Sequence, residues 1–283
     1  MFKKRKEAGQ SVASRFSTHD ARVRLTSLEA WREFAGSNPW VFDTELAAGI
    51  ARSAQEKGLV SNFHGPAREV VVSGVNWRET IVAHELNARA RAVLEEFADM
   101  DRSARILMLE GVTSFALAVR GRFPFALGAE YLPTHEDRAR FFPVPHCDIS
   151  NADFPDASFD CVVSNDVLEH VPDLEKAMSE TRRLLRDGGV CLATFPFAAG
   201  QIESVVRARL VDGQVEHLIE PPEYHGNPVD PEGSLVFAVP GWDILDLCRS
   251  VGFAVAEMIF VSSFPRAITA TDCAGVFILR AEA

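Results

Sequence analysis

Glu130 in "GAEYL", Asp148 after "FFPVPHC", and Asn165 with Asp166 after "CVVS" each close a strand-like run with an acid or amide. Ligands of open α/β sheets lie beyond the carboxyl ends of the strands, so side chains at these places face one crevice. A carboxylate at Glu130 can accept both hydroxyls of a ribose, and it falls roughly 20 positions after Gly111, the spacing that role requires. Asp148 can accept the exocyclic amine of an adenine while the next backbone N–H, that of Ile149, reaches a ring nitrogen. Singly, an acid at a strand end is as readily a solvated residue or a helix cap; in this order the set reads as a site for a nucleotide-like ligand. His170, in "VLEHV", follows the same strand as Asn165, and its ordinary pKa suits a general base. It can equally cap the turn that follows. Tyr224 and His225, in "PPEYHGNP", are candidates for substrate contact because loops over strand ends carry such contacts. A rigid turn with no ligand is the alternative.

The elements that would position these residues begin at Arg105. "RILML", "FALGAEYL", "CVVSN" and "VCLATF" read as strands, separated by the helical patterns "SFALAVRGR" and "DLEKAMSETRRLLRDGG". In the second helix Leu174, Ala177, Met178, Thr181, Leu184 and Leu185 share a stripe, and Gly188 and Gly189 are expected to end it in a left-handed cap. Alternation of helices with nearly continuous apolar strands predicts a parallel sheet covered on both faces. Residues 197 to 240, rich in Pro, Gly and acid, interrupt the alternation and read as an insertion over the sheet edge. "GWDILDLCRSVGF" then predicts a helix, and "AVAEMIFVSS" and "AGVFILRA" two closing strands. Ahead of this unit, residues 1–100 read as a mobile basic tail and a mainly helical cap, including a helix over "RETIVAHELNARARAVLEEF", so the expected division is 1–100 and 101–283.

With 29 Lys and Arg against 40 Asp and Glu, the net charge of −11 argues against nucleic acid as a partner. No apolar run approaches the roughly 18 residues of a membrane helix, and "KKRK" near the start lacks the apolar core of a signal peptide. The five cysteines form no C-x-x-C pair and sit in or beside apolar runs, which predicts buried thiols, a reducing compartment and cytoplasmic location.

The run "DISNADFPDASFDCVVSNDVLEHVPDLEKAMSETRRLLRDGGVCLATFPF" resembles the core of the class I S-adenosylmethionine-dependent methyltransferases. That family repeats there an adenine-binding Asp, an "FPDxSFD" turn, a "VLEHV" strand end and a "GG" turn before the next strand. The likeness spans residues 105 to 196 and, more loosely, continues to 280. It implies a Rossmann-like seven-stranded methyltransferase sheet with an antiparallel last strand, and S-adenosylmethionine as cofactor. On that likeness Glu130 holds the ribose with Tyr131 beside it, Asp148 and Ile149 hold the adenine, and Asn165 lines the methionine end. The family's glycine-rich loop is reduced here to "LEGVTSF", in which Gly111 remains and Val112 and Phe115 add bulk; either Thr113 and Ser114 donate hydrogen bonds in place of glycines, or the site has decayed or holds another ligand. Relatives carry a cysteine pair near the segment holding His84; this chain has no cysteine before Cys147, so no metal is expected, and His84 reads as a surface helix residue. Two functions of different class follow: methyl transfer to oxygen or nitrogen of a small polar metabolite, with His170 as base, or a catalytically silent methyltransferase fold acting as a binding or regulatory protein.

Overall fold

A computed structural model describes residues 17–56, 68–73, 78–83, 87–270 and 273–283. In chain order the strands are β1 (Asp20–Leu25), β2 (Arg68–Ser73), β3 (Arg78–Ala83), β4 (Ile106–Met108), β5 (Leu127–Gly128), β6 (Phe159–Asn165), β7 (Leu185–Thr194), β8 (Val205–Val206), β9 (Ala208–Val211), β10 (Gln214–His217), β11 (Tyr224–His225), β12 (Ser234–Leu235), β13 (Ala238–Val239), β14 (Val255–Ser263) and β15 (Val276–Glu282). The helices are α1 (Leu28–Ser37), α2 (Thr44–Glu56), α3 (Ala88–Glu96), α4 (Ser114–Arg122), α5 (His135–Arg140), α6 (Leu174–Leu184) and α7 (Asp243–Ser250).

Seven strands form the central sheet in the order β1-β14-β15-β7-β6-β4-β5. β4, β5, β6 and β7 are mutually parallel, and β15 is antiparallel to both its neighbours, as expected of the last strand. Both faces are covered, which explains why the strands read as continuous apolar runs. Cys161 and Val163 of β6 point into one layer with Val93 of α3 and Phe115 and Val119 of α4. Val162 points into the other, with Met178 of α6 and Leu245 of α7. All five cysteines are free and buried.

Several boundaries differ from the expectation. Residues 20–25, inside the stretch read as a mobile tail, form the edge strand β1 and pair with β14 from Asp20↔Ser263 to Leu25↔Met258. Alternation of polar and apolar residues in "DARVRL" is too short to distinguish from a loop in sequence, and the neighbouring strand supplies what the segment lacks. The helices assigned to a separate cap pack on the sheet: Trp31 of α1 is 4% exposed and lies 4.9 Å, centroid to centroid, from Phe277 and 5.1 Å from Phe260. No packing boundary therefore falls at residue 100. The helix expected over 78–97 is confined to α3, capped by the Asn87 side chain on Ala90 N, while 78–83 pair with 68–73 as a hairpin. His84 lies outside the described residues. α6 ends at Leu184 and runs directly into β7, so Gly188 (φ 73°) makes its left-handed turn inside the strand instead of capping the helix. The strand-like run before Asp148 contributes only a bridge, Glu130↔His146.

Candidate active site

The strand ends β4, β5 and β6 open onto one cleft of about 1630 Å³, walled opposite by the segment 223–237. Eight of the residues singled out in sequence line it: Glu130, Tyr131, Asp148, Ile149, Asn165, His170, Tyr224 and His225. Gly111 does not. A Cβ at Gly111 would sit 2.7 Å from the carbonyl carbon of Gly128 and 2.9 Å from Ala129 N, so the glycine is required where two strand ends touch, not where a ligand enters. Its own N–H donates to Ala129 O at 2.8 Å.

Of the bulky residues in this loop, Phe115 packs in the core and also borders the cleft, whereas Val112 turns away from it. Val112 turns into a small core with Leu132, Phe141, Val144 and Val229. Thr113 is the N-cap of α4, and its hydroxyl donates to Glu110 O at 2.9 Å while accepting from Ala116 N at 3.3 Å. A threonine hydroxyl has one hydrogen, so Thr113 has none left for a ligand, contrary to the expectation. Ser114 does line the cleft.

Beneath the cleft runs a buried polar relay that the sequence reading did not assign. The Asn165 amide donates to Glu110 Oε1 at 2.7 Å, and Thr194 Oγ1 donates to Asn165 Oδ1 at 3.1 Å. Burial pushes the Glu110 carboxyl well above its ordinary pKa, against the Asn165 hydrogen bond. Glu130 is pushed up to about 8, chiefly by burial and against backbone N–H bonds from Val112 and Tyr131. Its Oε2 is sealed from solvent and has no hydrogen-bond partner. Asp166 is pushed up to about 7 by burial, against its ion pair with Arg89 of α3. Three carboxyls thus crowd one floor with one guanidinium, an arrangement that favours a ligand carrying positive charge and hydroxyl donors.

Asp148 Oδ1 accepts from Ser150 N at 2.8 Å, a local turn that fixes the carboxylate at the rim, and Ile149 beside it is buried. Tyr131 is 56% exposed, its ring 5.6 Å from that of His146. At the other end Asp166 takes φ 55°, a left-handed turn an acidic residue tolerates, and the chain coils at once into a short 3-10 helix over Leu168–His170. That turn brings His170 to the cleft and buries Glu169, which is 1% exposed. β11 pairs with β12 and presents His225, whose ring lies 5.2 Å from that of His170. His170 Nδ1 is 2.9 Å from Leu235 O, and burial lowers its pKa. The pKa of His225 is raised, first by Glu169. Glu169 and Arg89 were missed; the apolar context of "VLEHV" gives no sign that its glutamate is turned inward, and "NARARA" does not show which arginine meets Asp166.

Residues 128–193 match the family model described as a methyltransferase domain. The match covers the span that carries Glu130, Asp148, Asn165 and His170. This part of the chain is similar to methyltransferase domains. Uncharacterized methyltransferases of Mycobacterium tuberculosis and Mycobacterium bovis are 33% identical over 91 residues, 30% of this chain and 46% of theirs. The chain thus spans about half the length of the curated relatives it matches. Among solved structures, an S-adenosylmethionine-dependent methyltransferase from Mesorhizobium loti is similar over 68% of this chain and 96% of its own, with 15% identity and a TM-score of 0.46. A 1,6-didemethyltoxoflavin-N1-methyltransferase from Burkholderia thailandensis, solved with its substrate and S-adenosylhomocysteine, is similar over 69% and 77%, with 18% identity and a TM-score of 0.40.

The likeness to methyltransferases implies S-adenosylmethionine as cofactor, and the donor set in the cleft is compatible with it. Glu130 lines the cleft, and its Oε2 has no hydrogen-bond partner inside the protein. Asp148 and Ile149 stand at the rim as an adenine would need, and the carboxyls of Glu110 and Asp166 face the cleft where a sulfonium and an ammonium would be held.

Proposed function

We propose that this chain transfers the methyl group of S-adenosylmethionine to an oxygen or nitrogen of a small polar metabolite. The observation that carries the reading is the continuity of the cleft, from Asp148 past Asn165 to His170, His225 and Tyr224. Its volume of about 1630 Å³ exceeds the roughly 300–1000 Å³ of a single-ligand pocket, which leaves room for two molecules end to end. The bound cofactor supplies an activated methyl group on a sulfonium. The chain's own residues supply alignment, for which positioning alone contributes about 7–11 kcal/mol. Glu130, Asp148 and Ile149 fix one end, the relay of Glu110 and Asn165 the middle, and His170 with His225 the acceptor end. Tyr224, half exposed beside His225, forms the outer wall. His170 is the proton acceptor nearest that end. The segment 197–240 acts as the wall of the acceptor pocket, and the net charge of −11 favours a small acceptor over a nucleic acid.

Calorimetric titration with S-adenosylmethionine and S-adenosylhomocysteine tests the reading. Both are expected to bind, and Glu130→Ala is expected to weaken binding by about 0.5–1.5 kcal/mol, the range for a hydrogen bond to a neutral group. Flat titrations of wild type at millimolar ligand would sink the proposal and leave the silent, partner-binding alternative.

A further inference from the structure

Among the described residues, one group of three potential metal ligands converges: Glu169, His170 and His225 offer ligand atoms within 4.8 Å of one another. They come from two separate elements, the short helix after β6 and the strand β11, so nothing in sequence spacing announces them. Three observations point beyond chance proximity.

First, Glu169 is 1% exposed, yet neither of its carboxylate oxygens has a hydrogen-bond partner. A buried carboxylate with both oxygens unpartnered is costly unless something cationic meets it. Second, each imidazole has its far nitrogen tied to an acceptor. His170 Nδ1 is 2.9 Å from the carbonyl oxygen of Leu235, to which it must donate. His225 Nε2 is 3.2 Å from Glu223 Oε1. This is how metal-ligating histidines are oriented, with the second N–H given to a carbonyl or carboxylate. The nitrogens left over, His170 Nε2 and His225 Nδ1, face Glu169 Oε1 at 3.7 Å and 3.6 Å. Third, those distances decide between two arrangements. A hydrogen bond or tight ion pair would close to about 2.8–2.9 Å. Ligands held about 2.0–2.1 Å from a tetrahedral ion stand about 3.4 Å apart. The observed spacings are nearer the second.

We propose that Glu169, His170 and His225 form a binding site for a divalent transition ion of the zinc type, open to the cleft at its remaining positions. Two imidazoles and one carboxylate suit zinc and its neighbours, whereas magnesium prefers an all-oxygen shell. The carboxylates of Asp166 and Glu223 add negative charge around it, with Arg89 opposing from the far side of Asp166. Resting on the methyl-transfer reading above, the open positions lie where the acceptor must stand. The ion then selects an acceptor bearing an oxygen or nitrogen donor, and takes over from a bare His170 the weakening of that donor's hold on its proton.

The test is calorimetric titration of chelator-treated full-length protein with zinc chloride and, separately, magnesium chloride, with X-ray absorption on the zinc-loaded sample. Zinc is expected to bind at one ion per chain with a shell of two imidazoles and oxygen, and magnesium to give no saturation. Glu223→Gln is expected to weaken zinc by about 10–100-fold, as loss of a ligand's outer partner does. His225→Ala and Glu169→Gln should weaken it further. If Glu169→Gln melts out, His225→Ala on the outer wall carries the test alone. No saturable zinc at about 100 μM, or zinc binding unchanged in His225→Ala, overturns the site. S-adenosylhomocysteine titrated into the same samples keeps the two readings apart: S-adenosylhomocysteine bound but zinc not defeats only the metal site, and the reverse defeats only the cofactor reading.

Discussion

At the scale of single residues, the site is shaped by polar groups that the protein leaves without internal partners. Glu130 is the clearest. Its folded pKa of about 8 lies above the value of about 4.5 for an unperturbed glutamate, so the folded chain holds a proton that the unfolded chain releases. A raised carboxyl contributes stability that is fully present below about 4.5 and is lost as pH rises through about 8. Urea denaturation across that window is expected to show stability falling with pH, and Glu130→Gln is expected to flatten the slope. An unchanged slope in the variant would assign the proton to another group. Gly111 makes a different demand. An added methyl group meets the backbone of Gly128 and Ala129, which cannot swing aside as a side chain can. Gly111→Ala is expected to cost about 1–3 kcal/mol of stability, the range for overpacking, and to be felt in the denaturation midpoint before any ligand is added.

At the scale of elements, the helix α1 shows how a segment outside the recognisable core becomes part of it. Ser27 caps it, accepting from Ala30 N at 3.2 Å, and Leu28, Trp31 and Ala35 repeat at helical spacing along its buried face. Trp31 lies among Phe34, Phe42, Phe260 and Phe277, joining the N-terminal region to both closing strands. Trp31→Ala is expected to destabilise the whole domain by about 3–5 kcal/mol, measured by chemical denaturation. A loss below about 1 kcal/mol would show that α1 is an appendage. The segment 197–240 works differently: β8 pairs with β13, β9 with β10 and β11 with β12, three small ribbons of which β11 and β12 line the cleft.

At the scale of the whole molecule, the N-terminal strand, the cleft-facing strands and the closing hairpin share one sheet. Cutting at residue 100 would remove β1, α1, α2 and α3 from both layers. The protein is therefore expected to unfold in a single transition, seen alike by far-ultraviolet circular dichroism and tryptophan fluorescence, with the four tryptophans reporting on both halves. Two resolved transitions would restore the division into cap and core. Ligand at about 100 times its dissociation constant should raise stability by about 2.7 kcal/mol without splitting that transition.

The sequence by itself determined the parallel core and most of the cleft. Apolar strands ending in Glu130, Asp148-adjacent turns and Asn165 are local features, because a strand's burial and the polar residue at its end are written in consecutive positions. It determined the two closing strands and the helix before them for the same reason. Tertiary structure alone decided the rest. β1 exists because β14 lies beside it, and Gly111 is needed because β5 lies against it. The pairing of Arg89 with Asp166 spans 77 positions, and that of Glu169 with His225 joins two elements with a helix, a long strand and three short strands between them. Such contacts depend on where the sheet order brings remote segments together, and spacing along the chain carries no record of that.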